Sequence, residues 1–514
     1  LYPAIILCIA MLLPVVYLVI RGLGSGEEAW DLLFRLQTVR TILSTLTLVL
    51  TVTLSSLIIA VPLAWLLSQS DLPFKRVWTV FICLPLVIPS FIGAFLITSA
   101  LGPKGILYQL ISAPLNIERL PDIYGLPGAT LALTLLSYPY IFLTVRSSLI
   151  DLNPSLGESS RTLGHGSIST FFKVILPYLR PSITSGSLLV GLYTLSDFGA
   201  VSVMRYPTFT WVIYQQYQSA FNQSLAAIFS LILVSIAVVL LVTERLNRGR
   251  SRYYQSTGVP RIHAASSLGI WKIPALVFVI TIIMLALILP VGVLSYWVVR
   301  GVSEGEPLLL LWTATMNSIF VSTLSAFIAV AFALPVGILL VRYASLFSKV
   351  LEILSFVGYA LPGIVVALTL VFFAIAYVLP IYQTVWILLF AYIVLAFPVA
   401  LGPIRSSLMQ LSPNIEDAAH SLGRNTLKTI WSVSAPLMRS GLLMGMALVF
   451  LVTMKELPAT LILGPLGFKT LATSVWSAST EAFFAQAAAP ALTLILVSSV
   501  PIGFLLIYER KFSI

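Results

Sequence analysis

Two acidic residues of this 514-residue sequence lie within long apolar runs, where an ionisable group is unusual. They are Asp197 and Glu456, which are 259 positions apart. A charged side chain at the centre of a membrane span costs about 2.5–3.5 kcal/mol on insertion scales, so it usually faces a cavity or a partner. Two carboxylates beside one path would suit a hard cation, because such ions prefer oxygen ligands.

We therefore predict that Asp197 and Glu456, together with the adjacent Lys455, line a path across the membrane. Two alternatives remain open at this point. Both acids lie near one end of their apolar runs and could simply be solvated there. Glu456 could also pair with a base on another span, since Lys455 is its neighbour in sequence and would point elsewhere on a helix.

Motifs for enzyme chemistry are missing from the sequence. Residues 464–470 superficially resemble a phosphate-binding loop, but Phe468 stands where that loop requires glycine before the lysine. The three histidines, His165, His263 and His420, lie in polar segments without metal-ligand spacing. The sequence therefore gives little support to a membrane-embedded enzyme, and we expect no cofactor to be bound by this chain.

A second kind of site is a polar loop that occurs twice. Each copy opens with a capping residue followed by proline and closes with glycine, features that start and end a short helix. The two copies run from Asn153-Pro154 to Gly164 and from Ser412-Pro413 to Gly423. The pattern predicts a short, capped helix in both loops.

Acidic and small residues occupy the middle of both loops. They are Glu158, Ser159 and Ser160 in the first copy, and Glu416, Asp417, Ala418 and Ala419 in the second. Small residues permit close approach, so the pattern favours docking into a groove of another protein. The alternative is an amphipathic loop that packs only on its own helices.

Long apolar helices must position these residues. The chain is 59% hydrophobic and 9% charged, whereas a soluble chain carries about 25% charge. Apolar runs long enough to cross a bilayer recur along the chain, and sustained β-barrel alternation is not seen. We predict an all-α polytopic membrane protein with about twelve spans, at roughly 1–20, 41–68, 77–101, 127–150, 181–204, 224–244, 272–299, 314–341, 350–379, 384–404, 437–461 and 485–508.

The basic residues indicate the sidedness of these spans. The formal net charge is +11, and most lysines and arginines fall on the side that carries the repeated loops. An excess of bases marks the cytoplasmic side. The charge is therefore a topology signal, and we expect membrane lipid rather than nucleic acid as the surrounding partner.

The repeated loops belong to a larger internal repeat. A shift of 259 residues superimposes the loops and the spans that follow them, and a shift of 273 fits the earlier part of each half. The repeat predicts a first six-span half at 1–244, a basic cytoplasmic linker at 245–271 and a second six-span half at 272–514. Because six is even, the halves would be related by a pseudo-twofold axis along the membrane normal.

The two loops resemble the "EAA" loop of permease subunits of ABC-type importers. The resemblance is carried by Glu158-Ser-Ser-x-x-x-Gly164 with Pro177, and by Asp417-Ala-Ala-x-x-x-Gly423 with Pro436. The first copy departs from the pattern by having serines for the alanines, and the second by having Asp417 for glutamate, with Glu416 beside it.

The resemblance implies a type I importer permease in a prokaryotic inner membrane. Its two loops would be cytoplasmic coupling helices that dock into two copies of an ABC ATPase. ATP and magnesium would be held by those partner subunits. A periplasmic or lipid-anchored binding protein would deliver the substrate from outside.

A finer resemblance concerns the substrate. The stretches 196–200, 205–210, 455–461 and 467–473 resemble fused permeases of ferric-iron importers. The resemblance therefore implies ferric iron as the substrate. Permeases for thiamine, which share the fused architecture, or for another small solute such as a polyamine are the alternatives. A secondary transporter without an ATPase is a more remote one, against which the duplicated docking loop argues.

Overall fold

The computed structural model describes residues 11–20, 35–103, 105–108, 121–150, 152, 160, 162–164, 166–218, 223–247, 267–305, 311–343, 345–481 and 483–509. These residues form helices joined by short turns, as the composition predicts. The helices that precede the basic linker are α1 Met11–Ile20, α2 Leu36–Gln69, α3 Lys75–Cys83, α4 Ser90–Leu101, α5 Leu126–Ile150, α6 Leu176–Ser196, α7 Gly199–Val203, α8 Phe209–Gln218 and α9 Gln223–Asn247.

The helices that follow the linker repeat much of this order. They are α10 Lys272–Ile283, α11 Leu289–Ser303, α12 Leu311–Arg342, α13 Leu346–Ala360, α14 Gly363–Tyr377, α15 Val385–Gln410, α16 Pro413–Ser421, α17 Arg439–Met454, α18 Pro458–Leu463, α19 Leu471–Thr480 and α20 Phe484–Glu509. The second repeated loop thus contains a helix of its own, α16.

Within the described residues, eight helices are long and apolar enough to cross a membrane. They are Leu36–Gln69, Ser90–Tyr108, Leu126–Ile150, Leu225–Thr243, Gly269–Ser303, Leu311–Arg342, Val385–Gln410 and Phe484–Pro501. A ninth is obtained if Ile430–Leu437 and Arg439–Met454, which meet at an angle of 73°, form one bent span. The chain is therefore a polytopic helical membrane protein, but the predicted number of twelve spans is not confirmed.

The difference arises where the predicted spans are interrupted. The run predicted at 350–379 is divided before Pro362, and the run at 437–461 ends at Met454, before the segment that contains Glu456. Proline has no backbone N–H, and the residue before it is driven from the helical region, so apolarity alone does not keep a helix continuous. The first half of the predicted first span, residues 1–10 of 1–20, lies outside the described residues.

Proline also explains three short π-helical segments in otherwise regular helices. Each segment ends two residues before a proline, whose ring would clash with the carbonyl oxygen four residues earlier. A wider turn makes room for that ring. The segments and prolines are Phe171–Ile175 with Pro177, Met284–Ile288 with Pro290, and Ile430–Ser434 with Pro436. Two of the three are equivalent positions of the repeat.

The chain divides into two compact units that interleave along the sequence. One comprises Leu33–Val212 and Ser235–Leu294, and the other comprises Leu1–Leu32, Ile213–Val234 and Ser295–Ile514. The division of the sequence into two halves, 1–244 and 272–514, on either side of the linker at 245–271 follows from the internal repeat and stays a prediction. The compact units group the same helices differently, because each unit includes the opening segment of the other half.

Buried residues show this exchange within each unit. In one unit, Val279 and Ile282 of α10 belong to the same hydrophobic cluster as Leu133 of α5. In the other unit, Met11 of α1 belongs to the cluster that contains Val330 of α12. Burying these side chains away from solvent or lipid tails stabilises the helix pairs by close packing.

Candidate functional site

The second repeated loop folds as a short helix. Pro413 occupies the first turn of α16, and Gly423, just beyond the helix, has a φ of 79°. That left-handed conformation is accessible to glycine at little cost and ends the helix. Ser412 adopts the extended N-cap conformation, but its side chain forms no capping hydrogen bond. The fixed φ of Pro413 therefore defines the helix start without the expected hydroxyl contact.

The first loop is described only in part. Glu158 and Ser159 lie outside the described residues. Ser160 is buried, and Gly164 has a φ of 85°, which matches the conformation of Gly423. Both loops therefore end at glycine in the same left-handed turn.

Equivalent positions of the two loops share their exposure. Leu163 is 80% exposed and its counterpart Leu422 is 82% exposed. Ser160 and its counterpart Ala419 are both buried. Each loop therefore presents a leucine to the solvent directly before its glycine and turns a small residue inward.

The exposed face of α16 combines apolar and acidic side chains. Ile415 and Ala418 are exposed one helical turn apart, and Leu422 follows on the same side. Asp417 is exposed beside them. This face is suited to contact with another protein, because it offers apolar area and one negative charge.

Glu416 points in another direction from Asp417. Its carboxylate accepts a hydrogen bond from Nε of Arg342 at 2.9 Å and from the hydroxyl of Ser434 at 3.0 Å. Sequence reasoning placed Glu416 and Asp417 together as candidate docking acids. In the structure, Glu416 contacts its own bundle, whereas Asp417 faces outward.

Basic residues beside the second loop also have partners within the chain. Nη1 of Arg405 lies 2.5 Å from Oε1 of Glu352 in α13. Arg424 donates to the hydroxyl of Ser432. Both arginines therefore hold adjacent segments of their own unit together.

Asp197 caps a short helix. It follows the last residue of α6, and its Oδ2 accepts hydrogen bonds from the backbone N–H of Ala200 at 2.9 Å and of Val201 at 3.3 Å. Its own carbonyl oxygen accepts a hydrogen bond from Thr210 at 2.6 Å. The carboxylate therefore satisfies the first N–H groups of α7, which have no partner within that helix.

Glu456 performs the same task in the second half. Its Oε1 accepts a hydrogen bond from the N–H of Ala459 at 3.3 Å, and its carbonyl accepts one from Thr460 at 2.5 Å. Ala459 is the counterpart of Ala200, so the two acids cap equivalent helices, α7 and α18. Lys455 is half-buried at the end of α17, directly before Glu456.

Each acid also meets the start of a helix that follows a proline. Ser90, the first residue of α4, lies within hydrogen-bonding reach of the Asp197 carboxylate. Gly363, the first residue of α14, is its counterpart, and a Cβ added there would lie 2.4 Å from Oε1 of Glu456. The longer glutamate side chain thus occupies space that the Ser90 side chain occupies in the first half.

Comparison with known proteins identifies the family. The description "binding-protein-dependent transport system inner membrane component" matches residues 56–252 and 309–514, which cover both halves. A full-length relative is the "Fe(3+)-transport system permease protein FbpB 2" of Haemophilus influenzae, which is 34% identical over 99% of this chain and 97% of its own length.

The chain belongs to this family of ABC importer permeases. More distant relatives include the ferric transport system permease FbpB of Actinobacillus pleuropneumoniae, 23% identical over 75% of this chain and 58% of its own length. The molybdenum transport system permease ModB of Escherichia coli is 30% identical over 36% of this chain and 82% of its own length. Membership makes the chain the non-catalytic membrane component of a binding-protein-dependent system.

A cavity in the second half of this permease was not found by sequence reasoning. The segment 464–470 and helix α19 border a space of about 590 Å³, to which Lys469, Trp476 and Glu481 contribute. The segment is held in place because Asn317 donates to the carbonyl of Lys469 at 2.9 Å. The stretch 467–473, which resembles ferric-iron permeases, could be recognised in the sequence. The cavity beside it is also lined by residues that lie more than 150 positions earlier in the chain, such as Ala314.

Within the described part of the chain, histidine, cysteine, aspartate and glutamate do not come together in any group of three that could hold a metal ion.

Proposed function

We propose that this permease carries ferric iron across a prokaryotic inner membrane. The observation that carries the proposal is the 34% identity, over nearly the whole of both chains, to a permease named for Fe(3+) transport. The resemblance at 455–461 and 467–473 supports the same substrate. Thiamine remains the alternative among small solutes. Because a molybdenum permease also matches part of this chain, molybdate serves as an anionic substrate for comparison in the test.

The repeated loops would receive the motion of the ATPase. Two copies of a cytoplasmic ABC ATPase would dock on the two coupling helices, one of which is α16. The exposed leucines Leu163 and Leu422 would enter apolar grooves, and Asp417 would face a basic residue of the ATPase. ATP and magnesium would remain on those subunits.

The remaining features would complete the transport path. A periplasmic or lipid-anchored binding protein would release its cargo at the opposite side of the membrane from the coupling loops. Twelve spans in two pseudo-twofold-related halves would enclose the path. Asp197, Glu456 and Lys455 would lie beside it, with the two acids also capping α7 and α18.

Substrate-dependent ATP hydrolysis tests the proposal. The chain would be reconstituted in liposomes with its ATPase, and purified binding proteins loaded with ferric iron, thiamine or molybdate would be added in turn. We expect stimulation of ATP hydrolysis by the ferric form. Stimulation by the thiamine or molybdate form alone would overturn the ferric assignment and leave the permease assignment intact.

A further inference from the structure

An arginine at the end of a long helix joins three segments around the second coupling helix. Arg342 is the last residue of α12, and its Nε donates to Oε2 of Glu416 at 2.9 Å. Its Nη2 donates to the carbonyl of Leu411, which follows α15, at 2.9 Å. The side chains of Arg342 and Glu416 are only 14% and 18% exposed, so solvent screens this pair far less than a surface pair.

A hydroxyl group adds a fourth segment to this arrangement. Ser434, in the π-helical segment before α17, donates to Oε1 of Glu416 at 3.0 Å. One carboxylate on α16 therefore contacts the end of α12 and the segment that leads into α17. Charge-assisted hydrogen bonds are about twice as strong as neutral ones, and the planar arginine fixes their direction. We call Arg342, Glu416 and Ser434 the loop clamp.

All three members of the loop clamp are replaced in the first half. The shift of 273 places Gln69 at the position of Arg342, and the shift of 259 places Gly157 and Ile175 at the positions of Glu416 and Ser434. Gln69 still donates to a carbonyl at the end of the neighbouring helix, that of Leu149, at 2.6 Å. It has no charge, and glycine offers no carboxylate.

We propose that Arg342 and Glu416 are positioning residues that lock the second coupling helix to the membrane helices, through an ion pair that Gln69 and Gly157 at the equivalent positions of the first half cannot form. The inference rests on the proposed coupling role of these loops. The second loop passes a displacement of α16 directly to α12 and towards α17 through the loop clamp.

The ratio of substrate transported to ATP hydrolysed tests this inference in the complete reconstituted importer. We expect Glu416→Gln to lower that ratio by about tenfold, because the hydrogen bond between two charged groups is lost and the buried guanidinium of Arg342 is left without its counter-charge. We expect Arg342→Gln to act in the same direction. ATPase subunits still co-purify with both variants, since the exposed face of α16 is unchanged. The double variant Arg342→Gln/Glu416→Gln recovers part of the loss, because no unpaired charge is left behind.

Matched variants separate the loop clamp from general damage. Glu304→Gln removes an exposed ion pair with Arg300 at the end of α11, away from the repeated loops, and we expect an unchanged ratio. Ser434→Ala removes one neutral donor and keeps the ion pair, so we expect a smaller decrease than for Glu416→Gln. This milder variant decides the matter if Glu416→Gln does not fold. An unchanged ratio in Glu416→Gln, or in Ser434→Ala when that variant must stand alone, overturns the inference.

A docking variant distinguishes failure of this inference from failure of the proposed function. Leu422→Asp alters the exposed face and is expected to abolish co-purification of the ATPase. If Leu422→Asp has that effect while the loop-clamp variants leave the ratio unchanged, only the inference is overturned. If Leu422→Asp leaves ATPase binding unaltered, the coupling role itself is wrong and the inference falls with it.

Discussion

The two halves of this permease hold equivalent acids by different means. In the first half, the shorter Asp197 is approached by the Ser90 side chain, whereas in the second the longer Glu456 fills the space left by Gly363. Both carboxylates nevertheless accept a hydrogen bond from the N–H three residues ahead, at Ala200 and Ala459. The repeat therefore preserves the hydrogen bond between the carboxylate and the helix start. The longer acid in the second half is accompanied by a smaller residue, glycine in place of serine, on the helix beside it.

The two repeated loops differ in the same way. In the first loop, the hydroxyl groups of Ser160 and Thr170 are 3.0 Å apart and form a hydrogen bond. In the second loop, Ala419 cannot form that bond, and the buried hydroxyl of Thr429 has no partner among the described residues. The loop clamp of Arg342 and Glu416 is present only where this neutral bond is missing. Among the described residues, the hydroxyl pair is therefore found in the first loop and the Arg342–Glu416 ion pair in the second.

The largest effect is expected when a side chain is introduced at Gly363, which tests the comparison of the two acids directly. We expect Gly363→Ser to destabilise the permease by about 2 kcal/mol, because the new Cβ displaces the Glu456 carboxylate from the N–H of Ala459. Thermal unfolding in detergent measures the loss.

A second substitution is the matched rescue. Glu456→Asp together with Gly363→Ser recreates the combination of Asp197 and Ser90, and we expect most of the stability to return. If the double variant is no more stable than Gly363→Ser, the two positions do not compensate each other and the comparison fails.

Neutralising the acids separates helix capping from a role in transport. We expect Asp197→Asn and Glu456→Gln to lower iron uptake about tenfold each, a factor that corresponds to about 1.4 kcal/mol in the barrier. The amide oxygens can still accept the backbone hydrogen bonds, so the unfolding temperature changes little.

Uptake in proteoliposomes and co-purification of the ATPase are measured on the same preparations. Normal uptake by the variant that carries both amides would show that the acids only cap α7 and α18. Lost ATPase binding would instead point to misfolding.

Exchanging the small buried residues of the two repeated loops tests the comparison between these loops. We expect Ala419→Ser to stabilise the second loop by about 1 kcal/mol, because the new hydroxyl can pair with Thr429. Ser160→Ala, the reverse substitution at the equivalent position, is expected to destabilise the first loop by a similar amount. Amide hydrogen exchange in each loop reports the difference, and equal exchange in wild type and both variants would contradict it.

The smallest effect is expected where the linker rejoins the helices. The carboxylate of Asp71 accepts a hydrogen bond from the N–H of Leu268 at 3.0 Å and lies 3.2 Å from the ammonium of Lys272. These contacts, the backbone bond first, lower the pKa of Asp71 below its ordinary value of 3.8. The second half has Ala344 at the corresponding position.

Because the pKa of Asp71 is lower in the folded state, its contribution to stability is present above the unfolded-state pKa. It is lost as the pH falls through the lower folded-state value. We expect proteolysis of the linker to accelerate slightly at acidic pH in the wild type. In Asp71→Asn, cleavage is expected to be faster at neutral pH and to lose that dependence. A wild-type cleavage rate that does not change on acidification would count against the contact.

Much of the second repeated loop could be predicted from local sequence. Pro413 and Gly423 define the start and the end of α16, and the left-handed conformation of Gly164 and Gly423 follows from the absence of a Cβ. The equivalence of Asp197 and Glu456 follows from the 259-residue repeat. These features depend on residues within a few positions of one another, or on a comparison of the sequence with itself.

The interruptions of the helices were harder to predict. Pro89 and Pro362 lie in apolar runs that otherwise read as continuous spans. Other prolines, such as Pro62 and Pro335, remain inside unbroken helices. Whether proline bends, widens or ends a helix depends on how neighbouring helices satisfy the freed carbonyl groups, and that information is not local.

The amino-acid sequence by itself determined the helical membrane class, the duplication and the short helix of the second repeated loop. Hydropathy and backbone preference are local properties, and the repeat is found by comparing the sequence with itself. Only the tertiary structure decided that Glu416 faces Arg342 while Asp417 faces outward, and that Gly363 makes room for Glu456. These outcomes require residues that are 74 and 93 positions apart to meet. A side chain acquires its partner only when packing brings distant helices together, and spacing along the chain does not specify that encounter.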